Sequence, residues 1–338
     1  MANPTNAVGA FTKAAGLQIA LVGSTTATGA VFEHKLRDMD WGVLPKPSRK
    51  LERIGYQGTG TPVAALDDYR LTPSRPTFTV NLPLTKRGLA IGLTSLMQYV
   101  GYDSGTTSYQ PHVWEDPFVA PPLLMHLEAG IPGTVGAVYK TLGAIVKKIA
   151  VAVPPIDGSG GKPTMTWEVG AVSGSRLNAF SLTEITPAID ATLDGVQRSC
   201  DCIGAQISGS AAKFHSYEVV LENGATCEGV NLEAIPTAWA LGDFVVSGSV
   251  TVLFTDQTGD EYYLLTTAHE AASSLVVRFP FAANSYCQHR LLFEEPEITR
   301  QGSICLAKFP FTAVDVAGTG TSWGAVIVTE SDILNWAS

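Results

Sequence analysis

Few residues in this chain combine the type and the spacing that catalysis requires. Residues 320–324 read Gly-Thr-Ser-Trp-Gly and fit the Gly-x-Ser-x-Gly pattern of a nucleophilic serine. The hydrolases that use this pattern place a histidine after the serine, but His289 is the last histidine here. A glycine turn before a terminal strand is the better interpretation, and no serine hydrolase is predicted.

The other reactive side chains are equally sparse. Cys200 and Cys202 form a Cys-x-Cys pair, but a structural zinc ion requires four ligands. The loop at 157–163 lacks the first glycine of a phosphate-binding loop, and Pro163 replaces the hydroxyl residue that would hold magnesium. The six histidines show no metal-binding spacing. The sequence therefore predicts no enzyme, no metal and no cofactor.

Composition favours a protein whose surface is covered in the working state. Charged residues are 16% of the chain, against about 25% in a typical soluble domain. A charge-poor surface is typical of one that contacts other copies or partners. No apolar run reaches the roughly 18 residues of a membrane helix, so no membrane partner is expected.

The net charge of −9 is divided unevenly along the chain. Residues 1–175 hold 12 acids and 15 bases, whereas residues 176–338 hold 19 acids and 7 bases. A basic cluster lies at the start of a long stretch, 45–76, that shows no clear period and is predicted to be a loop. We expect this cluster to contact an acidic surface of a neighbouring copy, through Lys46, Arg49, Lys50 and Arg53.

Residues 76–102 predict the element around which the rest is arranged. Residues 77–84 alternate between polar and apolar types, which indicates a strand with one buried face, and Pro83 indicates its end or an edge. An apolar stripe at helical spacing follows, and Gly101 stands where a C-terminal cap is expected. The predicted packing residues of this helix are Leu89, Leu93, Leu96, Met97 and Val100.

The same arrangement returns about 170 residues later. Alternation at 246–254 precedes a helical pattern over 261–275. Its predicted apolar stripe consists of Tyr263, Leu264, Ala268, Ala271, Ala272 and Leu275. A hairpin at 145–153 and 163–169 in the first half has its counterpart among predicted strands at 275–281, 287–293 and 303–311. The sequence thus predicts a mostly β protein with one helix per domain, as two tandem β-sandwich or barrel domains, 1–175 and 176–338.

These features together resemble the tail tube proteins of long-tailed, siphophage-type bacteriophages. The resemblance lies in Pro-Thr-Phe-Thr-Val-Asn-Leu at 76–82, the hairpin over 145–169 and Gly-Ser-Val-Thr-Val-Leu-Phe at 248–254. It covers roughly residues 30–320 and rests on architecture rather than on a diagnostic motif. The long stretch 45–76 and the link 103–143 depart from the family pattern.

The resemblance implies a structural virion protein of the phage tail, assembled in the host cytoplasm. Members of the family form rings that stack into a hollow tube through which DNA passes without specific binding. Their inner sheets join between neighbours, and rings have six tube domains. Two domains per chain would give a trimer with pseudo-sixfold symmetry, although a hexamer stays open. Partners would be the tape-measure protein and the tail terminator and tip proteins.

The charge of the channel is a separate expectation. An acidic lining repels phosphate groups and lets DNA slide, whereas a basic one holds it. Alternation places Glu168 on the sheet face opposite the core, with further candidate lumen acids at Glu294 and Glu297. The alternative function is a two-domain β-sandwich binding module, for carbohydrate or as a virion decoration protein. Such a module would expose aromatic side chains and remain a monomer.

Overall fold

The computed structural model describes residues 16–22, 31–34, 49–53, 69–73, 77–103, 108–113, 124–130, 138–156, 161–171, 173–177, 195–228, 238–240, 242–255, 257–282 and 285–314. In this part of the chain the protein is mostly β, as predicted. Every strand pair in it is antiparallel.

The strands of the first half are β1 (Gly16–Val22), β2 (Val31–His34), β3 (Arg49–Arg53), β4 (Tyr69–Pro73), β5 (Thr77–Pro83), β6 (Gln98–Asp103), β7 (Ser108–Val113), β8 (Leu124–Gly130), β9 (Val138–Val153), β10 (Thr164–Gly170) and β11 (Ser173–Leu177). Those of the second half are β12 (Gln206–Ile207), β13 (Ser210–Ala211), β14 (Ser216–Glu222), β15 (Thr226–Glu228), β16 (Ala238–Ala240), β17 (Val245–Leu253), β18 (Leu275–Ala282), β19 (Ser285–Phe293), β20 (Glu297–Gln301) and β21 (Ile304–Ala313). The helices are α1 (Lys86–Met97), α2 (Glu261–Glu270) and a 3-10 turn at Ser199–Asp201.

One order of strand pairing occurs twice. In the first half β5, β10, β9, β8, β1 and β2 are successive neighbours, and in the second half β17, β21, β19, β18, β12 and β13 are. A separate two-stranded sheet precedes the helix-linked strand in each half, β3 with β4 and β15 with β16. Below, β1–β11 with α1 are called the first repeat and β12–β21 with α2 the second repeat. The predicted boundary at residue 175 falls inside β11, which pairs with β9.

A single large sheet contains strands of both repeats. Strand β14 of the second repeat pairs on one side with β17 and on the other with β9 of the first repeat. The buried side chains form one connected cluster to which both repeats contribute. Alternation produces this burial, as predicted for the hairpin of β9 and β10, where Met165, Trp167 and Val169 all face the core.

Helix α1 covers the core side of the first repeat but is shorter than predicted. Leu89, Leu93 and Leu96 are buried as expected. The helix ends at Met97, and Val100 lies in β6 rather than on the helix. Gly101 is likewise no helix cap, because it pairs with Gln110 of β7. The β-forming residues after Met97 continue the chain as a hairpin strand.

The predicted apolar stripe of the second helix is only partly right. Ala268 faces the core as predicted, but Tyr263 and Leu264 are exposed, and the second buried residue is Leu265. Helix α2 also ends earlier than residue 275, because Ala272 adopts a left-handed conformation with φ 48° and turns the chain into β18. The predicted loop at 45–76 is also partly wrong, since β3 and β4 within it pair over five residues.

Gly92 allows α1 to lie very close to the sheet. A Cβ atom at this position would lie 2.7 Å from Nε1 and 2.8 Å from Cε2 of Trp167, whose ring is fully buried between α1 and the strands. Such distances are shorter than any comfortable van der Waals contact. The absence of a side chain at Gly92 therefore sets the distance between the helix and β10.

We expect Gly92→Ala to destabilise the protein by about 1–2 kcal/mol in urea unfolding. Overpacking of a filled core costs about 1–3 kcal/mol, and the helix propensity of alanine offsets up to about 1 kcal/mol of that cost. Thr267→Ala, at an exposed position of α2, is the control for propensity alone and should be neutral or slightly stabilising. A Gly92→Ala protein as stable as the wild type would contradict the tight packing.

Candidate assembly surface

The face of the sheet opposite the core is open and polar. It runs across β5, β10, β9, β14, β17, β21 and β20, which are neighbours in that order. Directly paired residues lie on the same face, so the registers assign its members strand by strand. They are mostly small or hydroxyl side chains: Thr79, Asn81, Thr166, Ala150, Ala152, Ser247, Ser249, Thr251 and Thr312.

The charged side chains of this face lie opposite one another. Glu168 pairs in register with Lys148, and Lys148 Nζ is 3.9 Å from a carboxylate oxygen of Glu222. Both side chains of that ion pair are partly exposed, so it contributes little stability. At the far side Glu297 lies opposite Lys308. Glu218 completes the set of acids on this face, which are Glu168, Glu218, Glu222 and Glu297. The lysines that lie opposite acids are Lys148 and Lys308.

The predicted site residues lie in different places. Glu168 is half-buried in the middle of this face, and Glu297 is the exposed first residue of β20. Glu294 is exposed between β19 and β20 and belongs to neither strand. Of the basic cluster, Arg49, Lys50 and Arg53 lie in β3, in a separate small sheet. Lys46 lies outside the described residues.

The pairing of β14 with β9 shows how one repeat closes the edge of another. Tyr217 and Val219 of β14 lie opposite Val153 and Val151 of β9. With the second repeat packed there, the side chain of Val151 is completely buried. The edge of the first repeat is thus both hydrogen-bonded and shielded from water by the repeat that follows it.

The corresponding edge of the second repeat is not covered by any described strand. Strands β19 and β20 both pair with β21, and together they take the place that the single long strand β9 takes beside β10. In this register Ile298 corresponds to Val151, yet it is 53% exposed. Among the described strands β20 pairs only with β21, and β5 at the opposite edge pairs only with β10.

Asn223 joins the two repeats at the junction. Its Nδ2 donates hydrogen bonds to the carbonyl oxygens of Leu96, in the last turn of α1, and of Val146 in β9, at 2.9 and 3.1 Å. Its Oδ1 accepts from the amide of Ala225 at 3.0 Å. The residue is buried, and these bonds satisfy groups that water cannot reach. The sequence analysis missed it, although an Asn-Gly step after an alternating strand marks a turn.

Burial changes the protonation of Cys202 and His289. Burial raises the pKa of the Cys202 thiol to about 12, so the thiol is protonated at neutral pH, and its Sγ donates to the carbonyl of Phe281 at 3.3 Å. Burial lowers the pKa of His289 to about 4. Neither ring nitrogen of His289 has a hydrogen-bond partner. No group of three or more His, Cys, Asp or Glu within the described ranges could hold a metal ion.

The comparisons with known proteins give no family for this chain. No family model matches it, and no curated protein is significantly similar to it. Among the helices in the described part of the chain, none has both the length and the apolar character needed to span a bilayer.

We expect Asn223→Asp to destabilise the protein by about 3 kcal/mol or more in urea unfolding at pH 7. The carboxylate keeps the bond from Ala225 but cannot donate to Leu96 and Val146, and each unsatisfied buried group costs about 1–3 kcal/mol. Part of this loss should be recovered below about pH 5, where a protonated carboxyl donates again.

Asn81→Asp is the matched control for this substitution. Asn81 lies on the open polar face, and its Oδ1 accepts from Thr166 Oγ1 at 3.0 Å, a bond that a carboxylate retains. The control should lose less than about 1 kcal/mol. Equal losses in the two variants would mean that the buried amide donors are not what stabilises the junction.

His289 should make stability fall as the pH falls from about 6.5 to about 4. Over that range the unfolded chain binds a proton at this position and the folded chain does not, so the protein loses about 3 kcal/mol. His289→Leu removes this contribution without adding a polar group. The difference in unfolding free energy between the two proteins should grow toward acid pH in favour of the variant. Parallel pH profiles would contradict the assignment.

Proposed function

We propose that this chain is the tail tube subunit of a long-tailed, siphophage-type bacteriophage. It would assemble as a trimeric ring of six repeats, and the rings would stack into a hollow tube for DNA. The observation that carries the proposal is the junction of β9 with β14. There one repeat continues the sheet of another. The outer edges of β20, which corresponds to this part of β9, and of β5 on the opposite side pair with no described strand.

The exposed edge of β20 supports the proposal that the pairing seen between the two repeats also occurs between chains. An exposed, unpaired strand with apolar side chains is a template for further pairing, and proteins usually shield such edges. Here Ile298 is exposed where Val151 is buried under the second repeat. A second chain that packs on β20 as the second repeat packs on β9 would bury it. Since this contact joins different surfaces, repeated addition must either close into a ring or continue as a filament.

The polar face supports its use as a channel lining. Its small and hydroxyl side chains carry no aromatic platform on which bases could stack, and the charges are mixed with an excess of acids. DNA would therefore meet no base-specific contacts there. The tape-measure protein would occupy the same channel before the DNA passes. A net negative lumen remains a prediction, as does docking of the basic residues Arg49, Lys50 and Arg53 on a neighbour. The virion tail would be the site of action.

One observation favours the alternative of a carbohydrate-binding module. Phe254 and Tyr263 are aromatic side chains of the second repeat and are 42% and 46% exposed. Aromatic rings of this kind can stack on sugars. A binding module would remain monomeric, so assembly state separates the two proposals.

We expect the purified protein to form rings or tubes in negative-stain electron microscopy, and Arg300→Pro to prevent this. The two-residue turn makes Gln301 and Ile304 the hydrogen-bonded pair, so Arg300 turns its amide toward the free edge of β20. Proline removes that donor while the bonds to β21 remain.

Arg300→Thr is the control, because it removes the same charge but keeps the backbone amide. It should assemble like the wild type. Dispersed wild-type monomers at every concentration would refute the tube proposal and favour the binding module. Normal assembly of Arg300→Pro would show that chains do not join through β20.

A further inference from the structure

The end of β5 in the first repeat is covered by the segment that leads into the second repeat. The amide of Gln197 donates to the carbonyl of Leu84 at 2.8 Å, and Ser199 Oγ donates to the carbonyl of Pro154 at 2.7 Å. Gly161 has no side chain where Ser199 packs, and a Cβ atom there would collide with the hydroxyl. Leu84 is consequently only 1% exposed. Residues 195–203 thus close this end of the first repeat.

The corresponding end of the second repeat has the same backbone hydrogen bond, but no described segment covers it. The amide of Leu84 donates to Pro163 O at 3.4 Å, and that of Phe254 donates to Cys305 O at 2.9 Å, so Phe254 takes the position of Leu84. Phe254 is nevertheless 42% exposed. Its carbonyl, the counterpart of the one that Gln197 binds, accepts no hydrogen bond from the described residues.

Two more apolar side chains at this end of the second repeat are exposed. Leu253 beside Phe254 is 50% exposed, and Ile304, next to Cys305 in β21, is 39% exposed. The ring of Phe254 packs on the ring of Tyr262 of α2, with centroids 4.6 Å apart, and this contact helps to hold Phe254 in position. We call Leu253, Phe254 and Ile304 the Phe254 seat.

The order of elements in the two repeats identifies what would cover the Phe254 seat. Residues 195–203 immediately precede β12, the first strand of the second repeat, and cover the repeat before it. The counterpart of β12 is β1, because β1 pairs with β8 as β12 pairs with β18. The segment that precedes β1 at a distance within one residue of this is 6–14, with the sequence Asn-Ala-Val-Gly-Ala-Phe-Thr-Lys-Ala.

We propose that residues 6–14 of a second copy of this chain cover the Phe254 seat. Within one chain the leading segment of the second repeat covers the first repeat, and between chains the leading segment of the first repeat covers the second repeat of its neighbour. Val8 and Phe11 supply apolar side chains for Leu253 and Phe254, and the segment has backbone amides for the Phe254 carbonyl. This inference rests on the proposed self-assembly and adds a second contact between neighbouring chains.

Cross-linking of assembled protein tests this contact. Cys305 is an exposed native thiol beside the seat. In an Ala10→Cys protein, a short bismaleimide should link the new thiol to Cys305 of the neighbour and give covalent dimers and trimers on denaturing gels. Adding Cys305→Ser should reduce these species at least tenfold. The wild-type chain, treated in parallel, accounts for links among its native cysteines.

The outcomes separate this inference from the assembly proposal. Rings that form normally but give no more cross-linked trimer than the Cys305→Ser control would overturn the inference and leave assembly standing. A link within one chain, seen as a monomer of altered mobility, would also overturn it. Wild-type protein that never assembles would overturn both proposals. As an independent measurement, Phe254→Ser should raise the protein concentration needed for ring formation several-fold, and an unchanged concentration would count against the seat.

Discussion

The structure depends on the side chain of Asn223, a buried amide at the end of β14. Helix α1 ends with a carbonyl that has no partner within the helix, and the amide of Asn223 donates to it from the second repeat. The same side chain binds Val146, and its backbone amide donates to Lys147 at 3.0 Å. These bonds tie α1, β9 and β14 together at one point. Since all of them lie out of water, they tolerate little displacement, and the position of the second repeat is thereby fixed.

The bonds at Asn223 also stabilise an irregularity in β9 that the architecture needs. The register between β9 and β10 shifts at Lys147, which has no partner in β10. A bulge of this kind bends a strand and increases its twist. Before the bulge β9 pairs with β8 and β11, β10 pairs with it on both sides of the bulge, and β14 pairs with it only after the bulge. One sixteen-residue strand can thus serve both the body of its own repeat and the junction with the next.

Sequence periodicity could predict the strands and buried faces but not where elements end. The alternation through Met165 and Trp167 determines burial directly, because every second side chain meets the core. The last turn of α1 is also bound by a side chain over a hundred residues away, Asn223, and no local pattern reveals that contact. The stripe predicted for the second helix contains the buried Ala268 but also the exposed Tyr263. It also runs past the end of the helix, because Ala272 takes a left-handed conformation usually filled by glycine. The exposed edge at Ile298 could not be predicted at all, since it depends on which repeat lies beside which strand.

The two repeats differ most at the edge formed by β9 in the first and by β19 and β20 in the second. The second repeat replaces the continuous β9 by β19 and β20, with Pro296 between them, and every residue of β20 is exposed. A monomeric protein would be expected to protect such an edge with lysines or to shorten it. This edge instead presents Ile298 and leaves the amides of 298 and 300 directed outward. In the first repeat the corresponding edge, that of β9, pairs with β14, and Val151 is buried there. The outer edges of β5 and β20 are different surfaces, and neither has a further partner among the described strands. The proposed contact between chains would cover the edge at β20.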